Sequence, residues 1–361
     1  MIRTILIIIG AIIGLAIIGI SLMSFKMKSD KNLIIDFIKE NPNTTAIKLV
    51  RNGETLLEHN GNKVMPLAST VKIAIAIEYA EQAASGKVDP EEMIPLADID
   101  LYYVANTDGG AHPSCLSYTK ENIVDEKISI ADIAHGMILF SSNANTEWLS
   151  HKLGLDNINK RLEIMGITDH EEIYYIVSTL FVGKEMFPGK SGKELEKDLR
   201  DLCMEDYIAA TQKIHKKLQS DSTYRKELGD LNFNIQKVWS DNLPGSTVSA
   251  YCDILDKMNS RTYFSQEVHN YLNPVMETLM QNPDNQSWLA HAGMKGGSTA
   301  FVLTKANYAT DKKGNTTELA YFMDELGFFD GMKLQKSINE FELNILADEE
   351  FRNELVTQLA K

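Results

Sequence analysis

Apolar positions repeat with a helical period over most of the chain and change to strand alternation near residue 290. Lys31 to Lys39 has one apolar face and is stopped by Asn41-Pro42-Asn43. Thr45 to Val50 and Thr55 to His59 read as strands joined at Arg51-Asn52-Gly53, the strongest local hairpin signal. A helix headed by Ser69 runs to Ser85-Gly86. Residues 87 to 128 read as irregular, with a loop over Asp108 to Pro113. Ile130 to Phe140, Thr146 to Leu153 and Ile158 to Met165 are predicted helices. From Gly189 to Asp241 the chain is highly charged and helical, read as an exposed lobe or insertion with a solvated face. Helices continue over Val248 to Met258 and Ser265 to Gln281. Ala290 to Thr310 and Thr316 to Met323 read as strands around Asp311 to Asn315, and a long helix over Lys336 to Leu359 closes the chain. The implied fold is mixed α/β. One antiparallel sheet forms from both strand groups only if the helical block, about 87–289, is inserted between them.

Ile5 to Met23 carries no charge and is flanked by Arg3, Lys26 and Lys28, a length that just spans a bilayer core of about 30 Å. Residues 1–28 are therefore expected to be a membrane anchor, with a cleaved signal as the alternative, and residues 29–361 a separate folded domain. A net charge of −14 excludes nucleic acid as a natural partner. Cys115, Cys203 and Cys252 are too sparse for a disulfide framework or a metal site, and burial as small apolar side chains is expected for all three. The histidines show no ligand spacing, so neither metal nor cofactor is expected, and His112 and His291, as single histidines, read as structural. Oligomeric state is not legible.

Ser69-Thr70-Val71-Lys72 places a hydroxyl and an amine one turn apart at the head of an apolar helix. Burial of the amine there lowers its proton affinity and turns it into a base for the serine. Taken alone, Ser69 also reads as a helix N-cap. Two further elements follow in order: Ser141-Ser142-Asn143 between two helices, and Lys295-Gly296-Gly297-Ser298 on the strand after the helical block.

With these three motifs the chain resembles the penicillin-recognising serine hydrolases, class A β-lactamases and penicillin-binding DD-peptidases, whose signature is Ser-x-x-Lys, Ser-x-Asn and Lys-Thr/Ser-Gly. The resemblance covers about residues 31–361. It implies that Ser69 is the nucleophile, that Lys72 takes its proton, that Ser141 passes a proton to the leaving nitrogen, and that Lys295 adds positive charge. It also implies that Asn143, Gly297, Ser298 and Thr299 bind substrate, with the N–H groups of Ser69 and Ser298 as oxyanion hole. The implied substrate is a β-lactam or a cell-wall peptide. Two positions depart from the pattern: Gly296 stands where the family has a hydroxyl residue that binds the substrate carboxylate. The Glu-x-x-Leu-Asn that carries the water-activating glutamate is absent too, with only Glu171 and Glu172 near its place.

Overall fold

The structure, a computed structural model, describes residues 29–359. The expected membrane segment, residues 5–23, lies outside the described residues. Among the described residues no helix is long and apolar enough to cross a membrane.

The chain divides into two compact units, Asn43–Glu325 and the terminal segments up to Pro42 and from Leu326. The larger unit holds the expected antiparallel sheet. Its strands are β1 (Thr45–Arg51), β2 (Glu54–His59), β3 (Leu289–Ser298), β4 (Leu303–Asp311) and β5 (Thr316–Met323), in the spatial order β2-β1-β5-β4-β3. Ala290 to Thr310 is thus two strands, not one. The alternation runs through the turn between Ser298 and Leu303, which lacks the Gly, Pro or Asn that mark a hairpin. Thr299 supplies the turn instead, its Oγ1 accepting from the N–H groups of Phe301 (3.0 Å) and Val302 (3.1 Å).

All helices of this unit lie between β2 and β3 in sequence. Nearly every residue of the Lys72–Ala84 helix is buried, including the polar Lys72, Glu78 and Gln82, so it runs through the middle of the core. The supposedly irregular segment contains helices Leu96–Asp100 and Ala111–Tyr118. Asp108 starts the second, its carboxylate accepting from the N–H groups of Gly110 (3.1 Å) and His112 (2.9 Å), so the expected loop is a helix entry. The charged block folds as Gly192–Asp201, Met204–Ser220 and Phe233–Asp241. It is not a detached exposed lobe: Leu195, Leu199, Tyr207, Ile214 and Leu218 join the main apolar core. The charges occupy the outer faces, and apolar side chains at helical spacing anchor the inner ones.

The smaller unit contains helices Leu33–Glu40, Phe328–Ala347 and Glu349–Leu359. The expected single closing helix is broken at Asp348, which leaves helical geometry and accepts the N–H of Phe351 at 3.2 Å, capping the last helix. Cys115 and Cys252 are buried and free. Cys203, expected inside, is exposed just before the Met204–Ser220 helix.

Candidate active site

Ser69 sits in a tight turn, Ala68–Val71, that runs directly into the Lys72–Ala84 helix. Val71 occupies the cap position and no side chain caps the helix, so the capping alternative for Ser69 does not hold. The preceding residue, Ala68, has φ +46, a left-handed conformation that costs a residue with a Cβ roughly 1–3 kcal/mol. The turn is held from both sides. Before it, Met65–Pro66 pairs with Gly245–Ser246, and Leu67 N donates to Pro244 O at 3.0 Å. Against it, Thr304 Oγ1 donates to the Leu67 carbonyl at 2.7 Å and lies 2.8 Å from Thr70 Oγ1. Strand β3 is an edge strand, which leaves its outer side open to this turn. At Gly297 the approach is closest: a Cβ there would lie 2.5 Å from Ser69 N and 2.6 Å from Leu67 O. Only glycine admits the half-buried serine so close to the strand.

Lys72, Ser141, Asn143 and Lys295 meet. Lys72 Nζ donates to Ser141 O (2.7 Å), Ser141 Oγ (3.1 Å) and Asn143 Oδ1 (2.9 Å). Lys295 Nζ donates to Ser141 Oγ (3.1 Å) and Gly296 O (2.6 Å). One hydroxyl therefore bridges two amines. Its aim comes from an unusual corner: Ser141 has φ +65, and Ser142 caps the Asn143–Leu153 helix by accepting the N–H of Asn145 at 3.2 Å. Lys72 is fully buried and Lys295 is 5% exposed, with no carboxylate among their hydrogen-bond partners. Burial, then the neighbouring Lys295 charge, hold the Lys72 amine well below its ordinary range, with Asp108 pulling the other way. Burial, and then Lys305, bring Lys295 down to about 7.

Of the remaining sequence candidates, Glu171 and Thr299 are engaged by the fold, and Ser298 follows Gly297 on β3. Glu171 Oε2 accepts the Gly245 N–H at 2.8 Å, bracing the strand that leads to Leu67, and Glu172 is exposed. Thr299 closes the β3–β4 turn and shares a 2.7 Å hydrogen bond with Ser240, so its hydroxyl serves the fold. Ser298 is exposed at the end of β3. Asp241, Asp324 and Glu325 bring oxygens within 4.8 Å of one another, but the Lys237 ammonium already pairs with Asp241 and Glu325.

Lys305 was not read from the sequence. It pairs with Gly296 across β3 and β4, and a Cβ at Gly296 would lie 2.9 Å from Lys305 Cδ and 3.3 Å from its Nζ. The long cation thus occupies the space that a side chain at 296 would take. With no Gly, Pro or Asn to mark the turn at Thr299, the pairing of Lys305 with Gly296 has no local signal in the sequence.

The model of the beta-lactamase enzyme family matches residues 31–233. Beta-lactamase BRO-1 of Moraxella catarrhalis is 28% identical over 151 residues, 39% of this chain and 45% of that protein, so the match spans under half of that relative's length. Among solved structures, a β-lactamase from Sphaerobacter thermophilus has a TM-score of 0.54 at 18% identity, covering 87% of this chain and 95% of its own. A class A β-lactamase from Bacteroides cellulosilyticus has a TM-score of 0.53 at 15% identity, covering 89% and 99%. A PBP-A mutant solved as an acyl-enzyme with penicillin G has a TM-score of 0.51 at 15% identity, covering 88% and 96%. At these identities the structures show a shared fold.

Proposed function

The chain belongs to the beta-lactamase enzyme family, and from that premise we propose that it is a serine hydrolase that opens the β-lactam amide through an acyl-enzyme on Ser69. The observation that carries this reading is the Ser141 hydroxyl, 3.1 Å from both Lys72 Nζ and Lys295 Nζ. Burial and the Lys295 charge weaken the hold of Lys72 on its proton. Once the amine has given up one N–H proton, its lone pair takes the Ser69 proton as Oγ bonds to the carbonyl carbon. The developing oxyanion lies between the N–H groups of Ser69 and Ser298. As the C–N bond breaks, the proton passes through Ser141 to the leaving nitrogen, and the Lys295 charge steadies the hydroxyl in transit. Asn143, with Oδ1 engaged by Lys72, presents its Nδ2 to a substrate carbonyl. Lys305, which has no acidic partner among the described residues, receives the substrate carboxylate in place of the hydroxyl residue lacking at 296. Water then splits the ester and restores Ser69.

A second reading, a penicillin-binding DD-peptidase or esterase acting on cell-wall material, draws support from the carboxylates. Glu171 is engaged on Gly245. Glu147, 1% exposed, accepts from Val177 N, Ser178 Oγ and His215 Nδ1, so it is not free to activate water, and Glu171 has one of its two oxygens committed to the fold. On either reading residues 5–23 anchor the domain at the outer face of the membrane.

The mass of the protein after exposure to penicillin, followed with time, tests both. An adduct on Ser69 that forms and decays with turnover supports the hydrolase, and a stoichiometric adduct that persists supports the second reading. No adduct, or an equal adduct in Ser69→Ala, refutes both and leaves a binding protein of the cell envelope.

A further inference from the structure

A second chain of hydrogen bonds ends one residue from the catalytic hydroxyl. His112 Nδ1 lies 3.0 Å from Ser142 Oγ, and His112 Nε2 lies 3.1 Å from Asp100 Oδ1. The order serine, histidine, aspartate resembles a hydrolytic triad, but Ser142 is 0% exposed and no substrate can reach it. The ring is equally closed in, at 1%, while the Asp100 side chain is 43% exposed. The Asp100 carboxylate only accepts, so a proton on Nε2 faces Asp100, and Nδ1 faces the Ser142 hydroxyl. Ser142 is thereby gripped from two directions, by His112 from the Ala111–Tyr118 helix and by the Asn145 N–H and side chain of its own helix.

We propose that His112, braced by Asp100, is a positioning residue: through Ser142 it holds the left-handed corner at Ser141 and so aims the Ser141 hydroxyl between Lys72 and Lys295. The corner needs such a hold. Ser141 sits at φ +65 with a Cβ, a conformation that persists only where its surroundings impose it. Releasing Ser142 lets Ser141 relax toward ordinary φ, which carries both its Oγ and its carbonyl away from the Lys72 amine. The same segment acts on the centre a second way: Asp108, which accepts the His112 backbone N–H, is the carboxylate whose charge opposes the lowering of Lys72. His112 and Ser142 are closed off from solvent and yet set the geometry of the proton path. This role rests on the reading of Ser141 given above.

The test combines structure and kinetics on the full chain. Crystal structures of His112→Ala and of the milder Asp100→Asn are expected to show Ser141 Oγ withdrawn from the 3.1 Å contacts it makes with the two amines. Acylation by a chromogenic cephalosporin is expected to slow by about 10–100-fold in His112→Ala, as for a group misplaced by about 1 Å, with half-saturating concentration within about threefold. His112→Asn, which keeps a polar group near the Nδ1 position, is expected to recover most of the rate. Combining His112→Ala with Ser142→Ala is expected to be no slower than the worse single variant, since both cut one linkage. Unchanged Ser141 contacts in the variant structures overturn the proposal whatever the activity, and so does a fully multiplicative double variant. Displaced contacts in a protein that penicillin never acylates uphold the positioning role and overturn the reaction assigned to the site.

Discussion

Replacing Gly297 by alanine tests the geometry of the nucleophile turn with a single methyl group. The added Cβ would lie 2.5 Å from Ser69 N, 2.6 Å from Leu67 O and 2.7 Å from Thr304 Oγ1, whereas ordinary contact begins at 3.4 Å. Ser69 N must recede by about 0.9 Å to reach that contact. Two of the three obstructing atoms are backbone, and the third is a fully buried threonine that stitches the same turn, so no flexible end can swing aside. The N–H displaced is the proposed oxyanion donor, and loss of one such donor costs about 10²–10³ in rate. The strain itself is worth about 1–3 kcal/mol of stability, as for other overpacked sites. Stopped-flow acylation with a chromogenic cephalosporin, beside a thermal melt, reads both effects. A folded Gly297→Ala protein acylating within about threefold of the parent would show that Ser69 N is not where the chemistry needs it.

Lys305→Ala is expected to weaken a carboxylate-bearing β-lactam about tenfold, while the methyl ester of that substrate binds parent and variant alike; equal losses for both would remove the charge role. Lys295 titrates at about 7, so its ammonium is lost as pH rises through that value, and acylation is expected to fall on the alkaline side. Lys295→Arg keeps the charge and is expected to move that fall upward; an unchanged alkaline limb in its pH–rate profile contradicts the assignment. Glu318, 1% exposed under the Val248–Asn259 helix with Oε2 unpartnered, has its carboxyl raised from 4.5 to about 7, chiefly by burial. The proton held in the folded state stabilises it below 4.5, and that benefit is lost as pH rises through about 7. Glu318→Gln is therefore expected to raise the unfolding free energy at pH 8 but not at pH 4, by up to about 3 kcal/mol, and equal gains at both pH values argue against it.

Much of this was legible because periodicity and short motifs are local. The Ser69–Lys72 turn, the Ser141 corner and the Lys295 strand each announce themselves over a few residues, and the interruption of one sheet by a helical block follows from element order. The missed features depend on what lies opposite in space. Lys305 matters only because Gly296 leaves it room, and His112 only because Ser142 comes within 3.0 Å across 30 residues of chain. Glu171 is a further case: its place in the sequence offers it for water activation, and no local pattern announces that its Oε2 accepts the Gly245 N–H. The break at Asp348 was hidden because apolar spacing continues across it.

Two residues of the proposed centre are bent into left-handed backbone: Ala68, just before the proposed nucleophile, and Ser141, the proposed proton carrier. Each would straighten if the surrounding core slackened, so the centre is a spring held compressed by its frame. Warming or loosening that frame should silence turnover before the molecule melts, and inactivation becomes an early reporter of wear in the core.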